Sequence, residues 1–364
     1  MKKAFTSTAA IMLLCMVGGS AFAGWTVASL SPAGASSSYA LGVSGGQQVG
    51  YAYVGGMTGA RASVWSGTAG SWVDLGPAGA VESYTHGVSG GQQVGYARIG
   101  DAEHAGLWSG TAASWVDLNP AGATWSDARG VCGGQQVGSA YIGGDTHAGL
   151  WNGSAASWVD LHPAGAWESS ARGVSGGQQV GEAMIGSVYH AALWNGTAAS
   201  WMDLHPAGAW ESSAKGVSGG QQVGWANFGG WDHAALWTGT AGSWVDLNPS
   251  GAIWSDARGV CGGRQVGCAD VAGTGHAALW AGTAESWVDL HAFLPGVYAD
   301  SCAESVYVSA GDVWVAGYAN NTSLNRSEAM LWHYTRDPVP EPSGLLALLS
   351  GVGGLGGLIW RLRR

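Results

Sequence analysis

Five histidines, His104, His147, His190, His233 and His276, recur at 43-residue steps, each directly before an AGLW or AALW stretch. Aspartates recur in step with them, at Asp74, Asp117, Asp160, Asp203, Asp246 and Asp289, inside WVDL or WMDL. One His and one Asp per unit raise two chemistries, a metal array and an acid–base pair. A metal site needs three or four ligands converging on one point, whereas equivalent positions of a repeat are spread apart. Two copies also replace the His with Arg61 and Glu328. The pattern therefore predicts a hydrogen bond made once per unit, with no metal and no cofactor.

The other candidates are weighed in the same way. GVSGG fits the G-x-S-x-G string of a nucleophile elbow, but that elbow needs a helix after the turn, and here a second strand follows. The segments after each QQVG run differ most between copies and hold Asp101, Glu103, Asp145 and Asp232, with Glu182 just before one of them. Mostly one carboxylate per segment does not supply the facing pair of a glycosidase. No H-E-x-x-H and no Walker loop occurs. No catalytic residues are assigned. Trp125, Trp167, Trp210 and Trp254 follow a P-A/S-G-A turn in four consecutive copies, in TWSD, AWES, AWES and IWSD. An exposed Trp beside a carboxylate can stack on a sugar face, so these four are candidate sugar-binding residues. The competing reading is a rim tryptophan that covers the next unit. Cys132 and Cys261 share one repeat position three copies apart. Cys268 and Cys302 lie in adjacent copies and are the candidate disulfide, the alternative being free, buried thiols.

These residues need a frame. GVSGGQQVG stands at 42–50, 87–95, 173–181 and 216–224, and with changes at 130–138 and 259–267. A fixed period near 43 residues marks a repeat architecture. Copies begin at Trp25, Trp72, Trp115, Trp158, Trp201, Trp244 and Trp287. Each offers four short strands, WVDL, the GVS stretch, the QQVG stretch and HAALW, separated by Gly, Pro, Ser and Asn. Four strands per unit is the pattern of a propeller blade. The expectation is an all-β, seven-bladed β-propeller over 24–334, with blades at about 25–71, 72–114, 115–157, 158–200, 201–243, 244–286 and 287–334. A parallel β-solenoid is the rival, with coils usually shorter than this period. The 22 tryptophans fall mostly at repeat-fixed positions, as inter-sheet packing would require.

The ends read differently. Residues 1–23 carry Lys2 and Lys3, an apolar run and Ala21-Phe22-Ala23, the layout of a cleaved secretory signal peptide. Residues 335–343 form a Pro-containing linker. The stretch 344–360 is uncharged and mostly apolar, long enough for a short transmembrane helix, and Arg361, Arg363 and Arg364 follow as a basic membrane stop.

Val339-Pro340-Glu341-Pro342, an apolar stretch and a terminal arginine cluster together resemble the PEP-CTERM sorting signal of Gram-negative bacteria. The repeat body, with GVSGGQQVGYA and HAALW, is similar to HAF-type extracellular repeats, which carry no transferable chemistry. The first resemblance implies export across the inner membrane, transient anchoring there by the C-terminal helix, and recognition by an exosortase-type sorting enzyme. It implies a cell-surface or extracellular destination among exopolysaccharide.

Charge narrows the partners. The chain holds 14 Lys and Arg against 24 Asp and Glu, and an acidic balance excludes the basic footprint that nucleic acid demands. The functional expectation is a non-enzymatic structural or binding propeller. The alternative is a lectin-like propeller on exopolysaccharide. A polysaccharide hydrolase or lyase is the third reading and lacks a visible acid–base pair.

Overall fold

Each nonapeptide lies across the two inner strands of one sheet. In the first copy the inner strand is Ala35–Ser44 and the second is Gln47–Val54. Gly45 and Gly46 turn between them with φ of 55° and 83°, the positive pair that a two-residue type I′ hairpin requires. Gly42 sits where inner strands of neighbouring sheets converge. A Cβ there would lie 3.1 Å from the His86 carbonyl oxygen of the next sheet. Gln48 is buried. Its Nε2 donates to the Gly46 carbonyl at 3.2 Å and its Oε1 accepts from the Gly67 N–H at 2.7 Å. That side chain ties the hairpin to the loop leaving the third strand. The Gly N–H to Gln contact recurs in the next five copies at 2.7–2.8 Å. The motif repeats because turn, axis contact and latch are each needed once per sheet.

The structure is a computed structural model and describes residues 24–335 except Met57 and Thr58. It is a seven-bladed β-propeller of four-stranded antiparallel sheets. The expected signal peptide, the sorting motif at 339–342, the apolar stretch 344–360 and the terminal arginines lie outside the described residues. Among the described residues no helix is long and apolar enough to cross a membrane.

The blades are not cut where the repeats begin. Blade 1 ends with Arg61–Trp65 and then Val73–Asp74, so the WVDL strand that opens a copy is the outer strand of the preceding blade. Blades 2 to 6 accordingly span 80–117, 125–160, 166–203, 212–246 and 255–289. Blade 7 takes its three inner strands from Tyr298–Ser309, Asp312–Asn321 and Arg326–Tyr334, and its outer strand from Trp25–Ser29 at the other end of the chain. The offset has a physical use, because a chain end woven into the last sheet closes the ring.

The core lies between blades. Trp65, Trp108, Trp151, Trp194, Trp237, Trp280 and Trp332, which end the third strands, are fully buried. Each fills the space against the blade before it, as Trp237 does with Val180, Ala191 and Leu193 of blade 4. Burying such a ring is worth about 3–5 kcal/mol against truncation to Ala.

Candidate functional site in the central channel

The site is built on the inner strands. The residue just before the first Gly of each nonapeptide projects to the axis, because the neighbouring glycine lets the strands approach there. Round the ring these residues are Leu41, His86, Arg129, Arg172, Lys215, Arg258 and, in blade 7, Glu304. They form the floor of a funnel of about 620 Å³.

Beside them on the same sheets stand the residues two positions earlier and their cross-strand partners on the second strand. Those pairs are Tyr39 with Tyr51, Tyr84 with Tyr96, Asp127 with Ser139, Ser170 with Glu182, Ser213 with Trp225, Asp256 with Cys268, and Cys302 with Tyr318. Of these residues the tyrosines line the funnel above the floor, and they break its sevenfold symmetry into two halves. Blades 7, 1 and 2 carry a ladder of tyrosines. Ring centroids run Tyr318–Tyr39 at 5.1 Å, then Tyr39–Tyr51, Tyr51–Tyr84 and Tyr84–Tyr96 at 4.8 Å each. Burial first, then neighbouring charges and phenols, pushes the hydroxyls of Tyr51, Tyr84 and Tyr96 above their ordinary range, so this wall is neutral.

Blades 3 to 6 carry ion pairs instead. Arg129 Nη2 lies 2.9 Å from Asp127 Oδ2, and His86 Nε2 lies 3.4 Å from the other Asp127 oxygen. Arg172 holds Glu182 with two contacts, Nη2 to Oε1 at 2.5 Å and Nε to Oε2 at 3.2 Å. The Ser213 hydroxyl of blade 5 donates to the same carboxylate. Asp256 of blade 6 accepts from Lys215 of blade 5 at 2.5 Å and from Arg258 Nε at 3.0 Å. Arg258 also pairs with Glu304 of blade 7. Burial works to raise the carboxyls of Asp127 and Glu182, but their Arg partners outweigh it and hold both below the ordinary carboxylate range. The arrangement presents fixed hydrogen-bond donors on one side and aromatic rings on the other.

The recurring histidines and aspartates lie elsewhere, in pairs spaced round the ring. Nδ1 of His104, His147, His190, His233 and His276 meets Oδ2 of Asp117, Asp160, Asp203, Asp246 and Asp289 at 2.7–3.0 Å. Arg61 makes the equivalent contact to Asp74 at 2.9 Å. Each aspartate also accepts a turn N–H two residues on, as Asp117 does from Asn119 at 2.8 Å. The pair clips the short outer strand to the third strand. No group of three potential metal ligands occurs among the described residues.

The four candidate tryptophans do not form one row. Trp167 and Trp210 stand directly after the Ala of the turn, and Trp125 and Trp254 stand one residue later, which reverses the direction of the side chain. Trp167 and Trp210 are 67% and 62% exposed. Trp125 is half-buried and stacks on Tyr141 at 6.3 Å; Trp254 is half-buried beside Gly275. Cys268 and Cys302 are joined by a disulfide that links blades 6 and 7, while Cys132 and Cys261 are free. Of the loop carboxylates, Glu103 pairs with Arg98 at 3.0 Å and Asp232 accepts from Asn227 at 2.7 Å. Glu182 pairs with a funnel cation, Arg172, at 2.5 Å.

Sequence reasoning missed the funnel. Its signal is one column: ALGVS, THGVS, ARGVC, ARGVS, AKGVS and ARGVC differ sharply at the residue before the glycine while the frame around it stays fixed. Four of the chain's 14 Lys and Arg are gathered there.

No family model matches the chain, and no curated protein matches it. Solved structures do. A mutant puromycin hydrolase in complex with PGG is 16% identical with a TM-score of 0.56, over 86% of this chain and 55% of that one. A structure from a study of two prolyl endopeptidases is 12% identical with a TM-score of 0.52, over 84% of this chain and 51% of that one. Another puromycin hydrolase structure is 14% identical with a TM-score of 0.52, over 85% and 58%. This chain spans about half the length of these structures, and at such identity the likeness shows the fold. The matches correct the expectation of a non-enzymatic structural or carbohydrate-binding module. The structures that share this chain's fold are those of hydrolases and endopeptidases, not of a structural or sugar-binding module.

Proposed function

We propose that this chain is an exported, peptidase-related propeller that takes short peptides into its central funnel and serves peptide processing. One observation carries the reading: the funnel's broken symmetry sets a tyrosine ladder in blades 7, 1 and 2 against four cations with their carboxylates in blades 3 to 6. A peptide offers what both halves can use, apolar and ring side chains for the aromatic wall and charged or carbonyl groups for the fixed donors. The solved neighbours support the reading by class, since a prolyl endopeptidase acts on peptides. Because the chain covers only about half of those structures, the reading concerns peptide binding and not the cleavage step.

Export is supported by the leader pattern at 1–23. Sorting by an exosortase-type enzyme, with a transient inner-membrane hold, is supported by Val339-Pro340-Glu341-Pro342 and the arginine-ended apolar stretch. Titration of the purified full chain with short proline-containing and aromatic peptides tests the binding step. Saturable one-to-one binding that Tyr84→Ala weakens at least tenfold, with Tm unchanged, is the expected result. Failure of every peptide to bind overturns the reading. Intact mass of the surface-exposed protein tests the ends, with a mature chain starting at Gly24 and lacking 344–364 expected.

A further inference from the structure

We propose, resting on that peptide-binding reading, that the funnel selects its peptide by a free C-terminal carboxylate, received by the arc of Arg129, Arg172, Lys215 and Arg258. The ion pairs in the arc are not symmetric about the channel surface. The cation side chains are 24–39% exposed, whereas their carboxylate partners are 4–14% exposed. Asp127, Glu182 and Asp256 therefore sit behind the cations, outside the funnel lining, while Glu304 shares the floor with them. A ligand descending the funnel meets guanidinium and ammonium groups first, although the pairs are formally balanced.

The acids have a second effect. By holding each cation from behind, they fix its remaining donors toward the axis, so little side-chain freedom is lost when an anion arrives. Guanidinium donors in a fixed fork suit a carboxylate. A peptide's N-terminal ammonium would be repelled from this arc, so the chain direction is set with its carboxylate at the floor. The opposite wall, blades 7, 1 and 2, offers the preceding residues neutral tyrosine rings. Glu304 stands at the end of the arc and is occupied by Arg258, which leaves Leu41 and His86 as the only other floor residues between cations and tyrosines.

The experiment is calorimetric titration of the purified full chain with one tyrosine-containing tripeptide in two forms, free acid and C-terminal amide, and with inorganic phosphate alone. The free acid should bind at least tenfold more tightly than the amide, the scale of one charged hydrogen-bond pair. The gap should shrink several-fold between about 0.05 and 0.5 M salt as screening grows. Lys215→Gln is the variant of choice, because Asp256 keeps Arg258 at 3.0 Å when the ammonium is gone. It should narrow the acid–amide gap while Tm stays within a few degrees. Equal binding of acid and amide overturns carboxylate selection and leaves the peptide reading standing. Absence of binding by either form overturns both. Phosphate binding as tight as the peptide acid overturns selection of a peptide terminus in favour of a general anion site. The acid–amide comparison needs no variant, so a Lys215→Gln protein that fails to fold does not decide the outcome.

Discussion

Arg172 on the inner strand of blade 4 and Glu182 on its second strand form a two-contact ion pair at the funnel floor, with Nη2 to Oε1 at 2.5 Å. The carboxylate is nearly buried and is shared with Ser213 of the next blade. The pair thus couples the channel lining to the packing between blades 4 and 5. Arg172→Gln leaves that carboxylate with Ser213 alone. A cost of about 2–3 kcal/mol is expected, below the figure for a fully dry pair because the guanidinium is partly exposed. The sign with pH follows from the partner. With Arg172 present, Glu182 titrates below the ordinary carboxylate range, so its contribution is present at neutral pH and is lost as pH falls through that lowered value. Without Arg172, burial is opposed only by the Ser213 hydroxyl and the more distant Arg129, and the carboxyl moves up. The destabilisation should therefore be largest at neutral pH and shrink below about pH 4. Thermal melts of wild type and variant across that range check it; a difference independent of pH would remove the electrostatic account.

The histidines that follow WVDL or WMDL give a second pH effect with its own control built into the chain. His162, His205 and His291 stack on His147, His190 and His276 at 4.1–4.2 Å. Burial, and then the neighbouring imidazole, holds all three below the ordinary histidine value. The unfolded chain therefore takes up protons near about pH 6.5 that the folded chain does not, and stability falls as pH drops through that region. Asn119 and Asn248 hold the same repeat position in blades 2 and 5 and bond the same serine, at 2.7 Å to Ser126 and Ser255. The triple change His162→Asn, His205→Asn and His291→Asn should keep the fold and flatten the Tm loss between about pH 7 and 5. An unchanged slope would place the acid sensitivity elsewhere.

These two sites differ in how far the sequence discloses them. The period of 43 residues and the Gly-Gly turns carry the propeller openly, since a turn needs particular residues wherever it stands. The blade boundaries are not carried, because WVDL reads equally well as the start of one sheet or the end of the last. Only hydrogen bonds decide, and Val73–Asp74 pairs back onto Arg61–Trp65. The His–Asp clip is legible because it repeats. The funnel is obscured for the opposite reason. Arg129, Arg172, Lys215 and Arg258 resemble a repeated feature of four copies, and their meaning appears only when the ring brings Tyr39, Tyr84 and Tyr318 opposite them. Residues far apart in the chain face one axis, and no spacing rule records that.

The Cys268–Cys302 disulfide joins the second strand of blade 6 to the inner strand of blade 7, with Cα atoms 5.1 Å apart and a sequence separation of 34. Closing a loop of that length restricts the unfolded chain by about 3–4 kcal/mol in the entropic account. Its position beside Arg258 and Tyr318 also holds one edge of the funnel. The double change Cys268→Ser and Cys302→Ser should lower Tm by several degrees, and a reductant should do the same to the wild type and nothing to the variant. A reductant that lowers the variant's Tm equally would show that the effect does not come from this bond.

Ring closure rests on the first strand. Trp25–Ser29 pairs with Arg326–Tyr334, from Trp25 opposite Tyr334 to Ser29 opposite Met330. Trp25 stacks on Phe293 at 5.7 Å and packs on Tyr334 at 5.4 Å. Leu30 follows, fully buried, and its N–H donates to the Ala329 carbonyl at 2.7 Å. Leu75, Leu118, Leu161, Leu204, Leu247 and Leu290 occupy the same site in the other blades and are equally buried. Leu30→Ala and Leu161→Ala therefore remove the same side chain from the same local setting, and each should cost about 2–4 kcal/mol. Their consequences should differ in place. Leu161 is covalently continuous with both blades it joins, through residues 145–175. Leu30 is tied to blade 7 only by strand pairing and packing. Leu30→Ala should raise amide exchange across 326–334, because an uncovered edge strand loses its hydrogen-bond partner. Leu161→Ala should leave exchange at 326–334 at the wild-type rate. Hydrogen exchange read by mass spectrometry on both variants separates the two. Equal protection of 326–334 in both would mean that the inner contacts of blades 1 and 7, such as Ser38 to Ala329 at 2.9 Å, close the ring without the outer strand.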